Sequence, residues 1–301
     1  MNEPLPAPDL PEWIERLLVP GTRRSLVQIP GQLVHVMETG PTDGPVVLCV
    51  HGNPTWSFLY RKVAAELEGS GYRVVMPDAV GLGLSSKPTR MSEHTLDQHI
   101  AWYGQVVDAL ELSNVVVVVQ DWGGPLGVGA MMERRERLAG MVVMNTVLGP
   151  PREGFRATLF HRFAKAPVIS DLAFRGLGFP QVRLSMAQGD KRSISGDVSR
   201  AYRWPLRGRS RNAAPLALAR MVPDSLEHPS VPALTRIQAF TEAYAGPAAI
   251  VWGDRDPVLG KLKNRIARWL PQAQVTSTGA GHFLQEEVPA DIARAIRAVR
   301  G

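Results

Sequence analysis

The chain has one cysteine, Cys49, in 301 residues. A lone thiol excludes an intramolecular disulfide, and its place inside the apolar run VVLCV reads as a small core residue in a reducing compartment. Long hydrophobic runs are also missing, since none approaches the roughly 18 residues that a membrane-spanning helix needs. The N-terminal stretch MNEPLPAPDLPEWIERLL has acidic residues and prolines where a signal peptide would have a basic start and an apolar run, so the expected location is the cytoplasm. Neither HExxH nor CxxC occurs, so no metal is expected. No internal repeat or low-complexity tract is evident.

What is there is an ordinary globular composition, 45% hydrophobic and 21% charged, with a length that can bury a sizeable core. The net charge of +6 is unevenly placed. Arg183, Lys191, Arg192, Arg200, Arg203, Arg207, Arg209, Arg211 and Arg220 crowd one region with few acids between them. That region suits an anionic substrate or peripheral contact with a membrane surface, or is simply a solvated outer face. No nucleic-acid partner is expected, because neither aromatic interleaving nor a nucleic-acid motif accompanies the charge.

Residues 24–30 and 33–38 read as an edge hairpin around Pro30-Gly31. Strands are predicted at Val46 to Val50, Tyr72 to Met76, Val115 to Val119, Leu138 to Met144, Ala248 to Trp252 and Gln274 to Thr278. Helical spacing fills Ser57 to Glu68, Leu96 to Leu110, Ala233 to Tyr244, Lys261 to Leu270 and Ala290 to Val299. Such alternation predicts a mostly parallel central sheet with helices on both faces. The rhythm stops between 147 and 232, where prolines, arginines and short helical patterns at 155–165 and 198–203 dominate. The expected architecture is a core of residues 1–146 and 233–301 carrying an inserted helical cap, 147–232.

The segment NVVVVVQDWGGPLGVG, 114–129, organises the rest. Five valines make a buried strand, Gln120 to Gly124 a turn too tight for bulk, and the glycines a helix start. Strand, nucleophile and helix in this order resemble the elbow of an α/β-hydrolase, with Asp121 where a serine usually stands. A serine must lose a proton before it attacks, whereas a carboxylate is already an anion at neutral pH. It is a weak nucleophile, suited to an sp3 carbon with a good leaving group.

An open parallel sheet presents its ligand site at the carboxyl ends of its strands. Asn53, Asp121, Asp254 with Asp256 and, past the last strand, His282 fall there. Their order, nucleophile then acid then histidine, is that of the α/β-hydrolase triad. His282, among the small residues of GAGHFLQEE, can take a proton from water, and an aspartate would orient it. In α/β-hydrolases the acid commonly stands three positions after the glycine that ends its strand, which selects Asp256 over Asp254. The backbone N–H groups at Asn53 and Trp122 are placed for an oxyanion hole, and their side chains add two neutral donors for a departing anion. The histidines at 35, 94, 99, 161 and 228 lack comparable context.

With these residues assembled, the chain resembles the haloalkane dehalogenases of the α/β-hydrolase superfamily. The matching motifs are HGNPTWSFLYR at 51–61, PDAVGLGLSSKP at 77–88, VVQDWGGPLG at 118–127, VWGDRDPV at 251–258 and GHFLQEE at 281–287; in the cap the best match is AYRWP at 201–205. The resemblance implies attack of Asp121 on the halogen-bearing carbon, an alkyl ester, and water activated by His282 with Asp256 behind it. It also implies a small apolar substrate, halide held by Asn53 and Trp122, and no cofactor. Trp204 and Trp56 are lesser candidates for halide contact, because some relatives use a cap tryptophan. Epoxide hydrolases share the aspartate and histidine but use two cap tyrosines, where only Tyr202 is available. A β-lactone decarboxylase of olefin synthesis shares HGNPTW and DWGG, and a receptor on the same fold is the non-enzyme alternative. The sequence leaves the oligomeric state open.

Overall fold

A computed structural model of the protein describes residues 5–155, 159–208 and 213–301. Nine strands form one sheet in the order β1-β2-β3-β5-β4-β6-β7-β8-β9. They are β1 (Leu5–Pro6), β2 (Arg23–Ile29), β3 (Gln32–Thr39), β4 (Val46–Val50), β5 (Arg73–Pro77), β6 (Val115–Asp121), β7 (Leu138–Thr146), β8 (Ala248–Gly253) and β9 (Gln274–Thr278). Pairings from β1 to β3, and of β3 with β5, are antiparallel; all others are parallel. The numbered helices are α1 (Arg61–Glu66), α2 (Leu96–Ala109), α3 (Gly123–Met132), α4 (Leu159–Lys165), α5 (Gly196–Arg203), α6 (Ala213–Arg220), α7 (Val231–Ala243), α8 (Lys263–Trp269), α9 (Leu284–Glu287) and α10 (Pro289–Arg300).

The valine run of β6 explains the layering. Successive strand side chains point to opposite faces. Val115, Val117 and Val119 enter one core with Leu48 and Val50, and with Ile100 of α2, Leu126 of α3 and Leu234 of α7. Val116 and Val118 enter the other with Val47 and Cys49, and with Val63 of α1 and Ile292 and Ile296 of α10. Both faces are therefore dry, which is why the run Val115 to Val119 is apolar at every position and not at alternate ones. Burial pushes the Cys49 thiol up, out of the range where it ionises at neutral pH.

Parallel register aligns the carboxyl ends. Val50 pairs with Val119, Val119 with Val143 and Val143 with Ile250, so the residues after β4, β6, β7 and β8 meet along one rim. Between β7 and α7 the described residues form helical turns and no strand. Here α4 packs on α6 through Ala164, Leu216 and Ala219, with Phe163, Phe174 and Phe179 in mutual contact beside them. Arg209 and Arg211 of the basic cluster, and 156–158 of the helical pattern at 155–165, lie outside the described residues. Among the described residues no helix is long and apolar enough to cross a membrane.

Candidate active site

Asp121 ends β6 with φ at 52°, in the left-handed region that a β-carbon makes costly. The chain turns there directly into α3 at Gly123, and the strained turn projects the carboxylate over the sheet's rim. Thr146 at the end of β7 steadies it, its hydroxyl donating to Asp121 O at 2.5 Å. The neighbouring loop after β4 comes so close that a β-carbon on Gly52 would lie 2.3 Å from Asp121 Oδ1. That approach lets the Asn53 backbone N–H donate to Oδ1 at 2.8 Å. Oδ2 remains, 3.4 Å from His282 Nε2.

On its other side the imidazole donates from Nδ1 to Asp256 Oδ2 at 2.8 Å. Asp256 is fixed in turn by Asn145 Nδ2 at 2.8 Å and the Val258 N–H at 2.7 Å. Asp254, two residues away, is exposed and pairs with Lys263 at 2.6 Å, so Asp256 is the aspartate at the histidine. Burial works to raise the Asp256 carboxyl pKa, but the His282 charge and these hydrogen bonds hold it below its ordinary value. Burial likewise works to lower His282, and the charge of Asp256 with hydrogen bonds to Asp121 and Asp256 outweighs it, lifting the imidazole to about 10.

The neutral donors behave differently from one another. Asn53 Nδ2 donates to Pro215 O of α6 at 3.0 Å, which leaves the second hydrogen of that amide. Trp122 is nearly buried in the cluster beneath α6, with Ala214 and Leu218, and its indole N–H has no protein partner among the described residues. Trp56 departs from expectation: its indole N–H donates to Ala201 O at 3.2 Å and the ring is fully buried, so this donor is already spent inside the core. Trp204 is partly buried against that same second core, a different cluster from that of Trp122, with the Arg207 guanidinium 5.9 Å from its ring centre.

Two polar residues escaped the sequence reading. Gln120 donates from Nε2 to His282 O at 2.9 Å and sits 3.2 Å from His282 Nε2. Asn145 grips both Gly253 backbone groups as well as Asp256. The signal was present in each case, a polar side chain closing a strand of valines and methionines. Among the described residues no group of three or more His, Cys, Asp or Glu side chains is placed to hold a metal ion.

A carboxylate on a strained strand-to-helix turn, faced by an imidazole and a second aspartate, defines an α/β-hydrolase, and the family model described as an alpha/beta hydrolase fold matches residues 45–289. Relatives narrow the class. A haloalkane dehalogenase of Mycobacterium marinum is 33% identical over 274 residues, covering 89% of this chain and 88% of its own. One from Mycolicibacterium paratuberculosis is 31% identical over 270 residues, covering 87% and 86%. The crystal structure of the haloalkane dehalogenase DatA from Agrobacterium tumefaciens superposes with a TM-score of 0.81 at 26% identity, covering 94% of this chain and 98% of that one. The chain belongs to the haloalkane dehalogenase family and is a hydrolase.

Proposed function

We propose that the enzyme converts haloalkanes to alcohol and halide through an alkyl ester on Asp121, under a helical cap formed by 147–232. Asp121 Oδ2 attacks the halogen-bearing carbon from the side opposite the halogen. The carbon–halogen bond breaks, and the halide leaves with the electron pair to the Trp122 indole N–H and the free amide hydrogen of Asn53. Water then adds to the ester carbonyl while His282 Nε2 takes its proton. The negative charge that develops on Oδ1 meets the Asn53 backbone N–H, at the hydrogen bond of 2.8 Å already present. Collapse expels the alkoxide, which His282 protonates, and Asp121 is restored.

The observation that carries this reading is the relay of contacts, 3.4 Å from Asp121 to His282 and 2.8 Å on to Asp256. Epoxide opening needs free cap hydroxyls to protonate an alkoxide. Tyr202 is no such donor, because it is buried and its hydroxyl is engaged with Glu286 Oε1 at 2.6 Å. The test is a parallel assay of bromoalkane, epoxide and β-lactone, reading bromide, diol and carbon dioxide. Bromide release is expected, lost in Asp121→Ala. In His282→Phe an alkyl adduct on residue 121 is expected by intact mass, since attack precedes the histidine step. Alcohol at normal rate without an adduct would overturn the order of steps.

A further inference from the structure

The segment between α4 and α5 carries a surface that the proposed chemistry does not use. Eleven large hydrophobic side chains are exposed among the described residues, and six of them lie here: Val168, Ile169, Leu172, Leu177, Val182 and Met186. Their exposure is deep, at 76% for Val168, 68% for Leu177 and 62% for Met186. They fall within one stretch of nineteen residues, and Leu177 and Val182 line one cavity. The Leu172 side chain lies against Gly176 and that of Val182 against Gly178, while Arg183 reaches to 3.9 Å from the Met186 sulfur. A cavity of about 270 Å3 opens in this surface, lined by Leu177, Val182 and Leu206 together with Arg175 and Arg203.

Charge identifies the partner. Residues 159–208 hold nine lysines and arginines and three aspartates, a balance equal to the whole +6 of the chain. Among the described residues Arg175 has only a distant pair with Asp171 at 3.6 Å. Arg203 donates through Nε to Ser199 O at 3.2 Å, which leaves its terminal N–H groups open among the described residues. Aliphatic side chains interleaved with arginines match an anionic lipid interface, where the side chains enter the acyl boundary and the guanidinium groups stay with phosphates. A second copy of the same face would bring like charges together and be repelled. We propose that this face docks on an anionic lipid surface, with a lipid phosphate held between Arg175 and Arg203.

The inner side of this region leads to the site. Phe174 packs on Leu216 of α6, whose Pro215 holds Asn53, and Leu206 in the cavity wall belongs to the apolar cluster of Trp122. An apolar substrate dissolved in lipid would thus meet the enzyme on the side from which the site is roofed. Docking itself requires no chemistry at Asp121.

The test is flotation of the full chain with vesicles of phosphatidylglycerol and phosphatidylcholine, against pure phosphatidylcholine. Binding to the anionic vesicles is expected, at least tenfold weaker to the neutral ones. Arg175→Glu with Arg203→Glu should weaken it more than tenfold, since one surface cation is worth about fivefold. Leu177→Ser with Met186→Ser should weaken it about tenfold, with bromide release from a soluble bromoalkane unchanged within twofold. Three results would overturn the proposal: wild type that fails to float, binding indifferent to Leu177 and Met186, or a wild-type dimer that those two substitutions dissociate. Wild type that floats yet releases no bromide would overturn the proposed chemistry and leave the lipid contact standing.

Discussion

The protonation of His282 follows from the charges around it. With two carboxylates at 2.8 and 3.4 Å, Asp256 contributing most, the imidazole is lifted from its ordinary 6.5 to about 10, a shift that favours an imidazolium in the resting enzyme. An imidazolium cannot accept a proton from water. In the proposed reaction the ester on Asp121 is neutral, and forming it removes one of the two anions that hold the proton. The proton is then held less tightly, by Asp256 alone, and the imidazole moves toward its neutral, basic form. NMR of the labelled imidazole should show the resting enzyme protonated through pH 8, and single-turnover ester hydrolysis should rise with pH to a midpoint below 10. A resting imidazole that titrates near 6.5 would refute the coupling. The meeting of Asp121, Asp256 and His282 was legible because each stands at or past a strand end in a recognisable order. Gln120 and Asn145 carried a weaker signal, a polar residue closing an apolar strand, and an uncharged amide does not show what it holds until its partners are in place.

Among the elements, the histidine loop is held partly by residues 187–190, which lie between β7 and α7. His282 N–H donates to Ala187 O at 2.8 Å. Gln188 pairs with both backbone groups of Phe283, at 2.9 and 3.1 Å. The Glu287 carboxylate gathers the N–H groups of Gly189, Asp190 and Gly281 at 2.8 to 3.0 Å. Gly281 is required for this closeness, as a β-carbon there would lie 2.3 Å from Ala187 O. Charge-assisted bonds to one carboxylate thus set where the imidazole sits relative to the ester. Glu287→Ala should slow ester hydrolysis tenfold or more while the initial burst of halide stays within twofold, read by stopped flow. Equal loss in both phases would mean a general structural defect. This strap was invisible in the sequence because it joins segments 95 to 98 residues apart, largely through backbone groups. Helix α6 was missed for another reason: Ala213 to Ala219 are all buried, so AAPLALAR has no polar face to mark a helical period.

The whole molecule is a parallel sheet with an antiparallel edge attached, and Asp78 is where the two are tied. Alternating strands and helices made the class legible, but the sheet order, with β4 between β5 and β6, depends on pairings that no local pattern encodes. Just past β5, the buried Asp78 meets His35 Nδ1 of β3 at 2.8 Å, the Ser57 N–H before α1 at 2.7 Å and the Leu84 N–H at 2.7 Å. Burial works to raise this carboxyl pKa, yet the His35 charge and these hydrogen bonds hold it down at about 2, against an ordinary 3.8. A folded-state value below the unfolded one stabilises the fold above about pH 4 and loses that contribution as pH falls through about 2. The difference corresponds to about 2 kcal/mol. Urea unfolding of Asp78→Asn should therefore show a deficit of at least about that size at pH 7, shrinking steadily between pH 4 and pH 2. A deficit that stays constant across that range would show that hydrogen bonding alone, and not the charge, secures the antiparallel edge to the rest of the sheet.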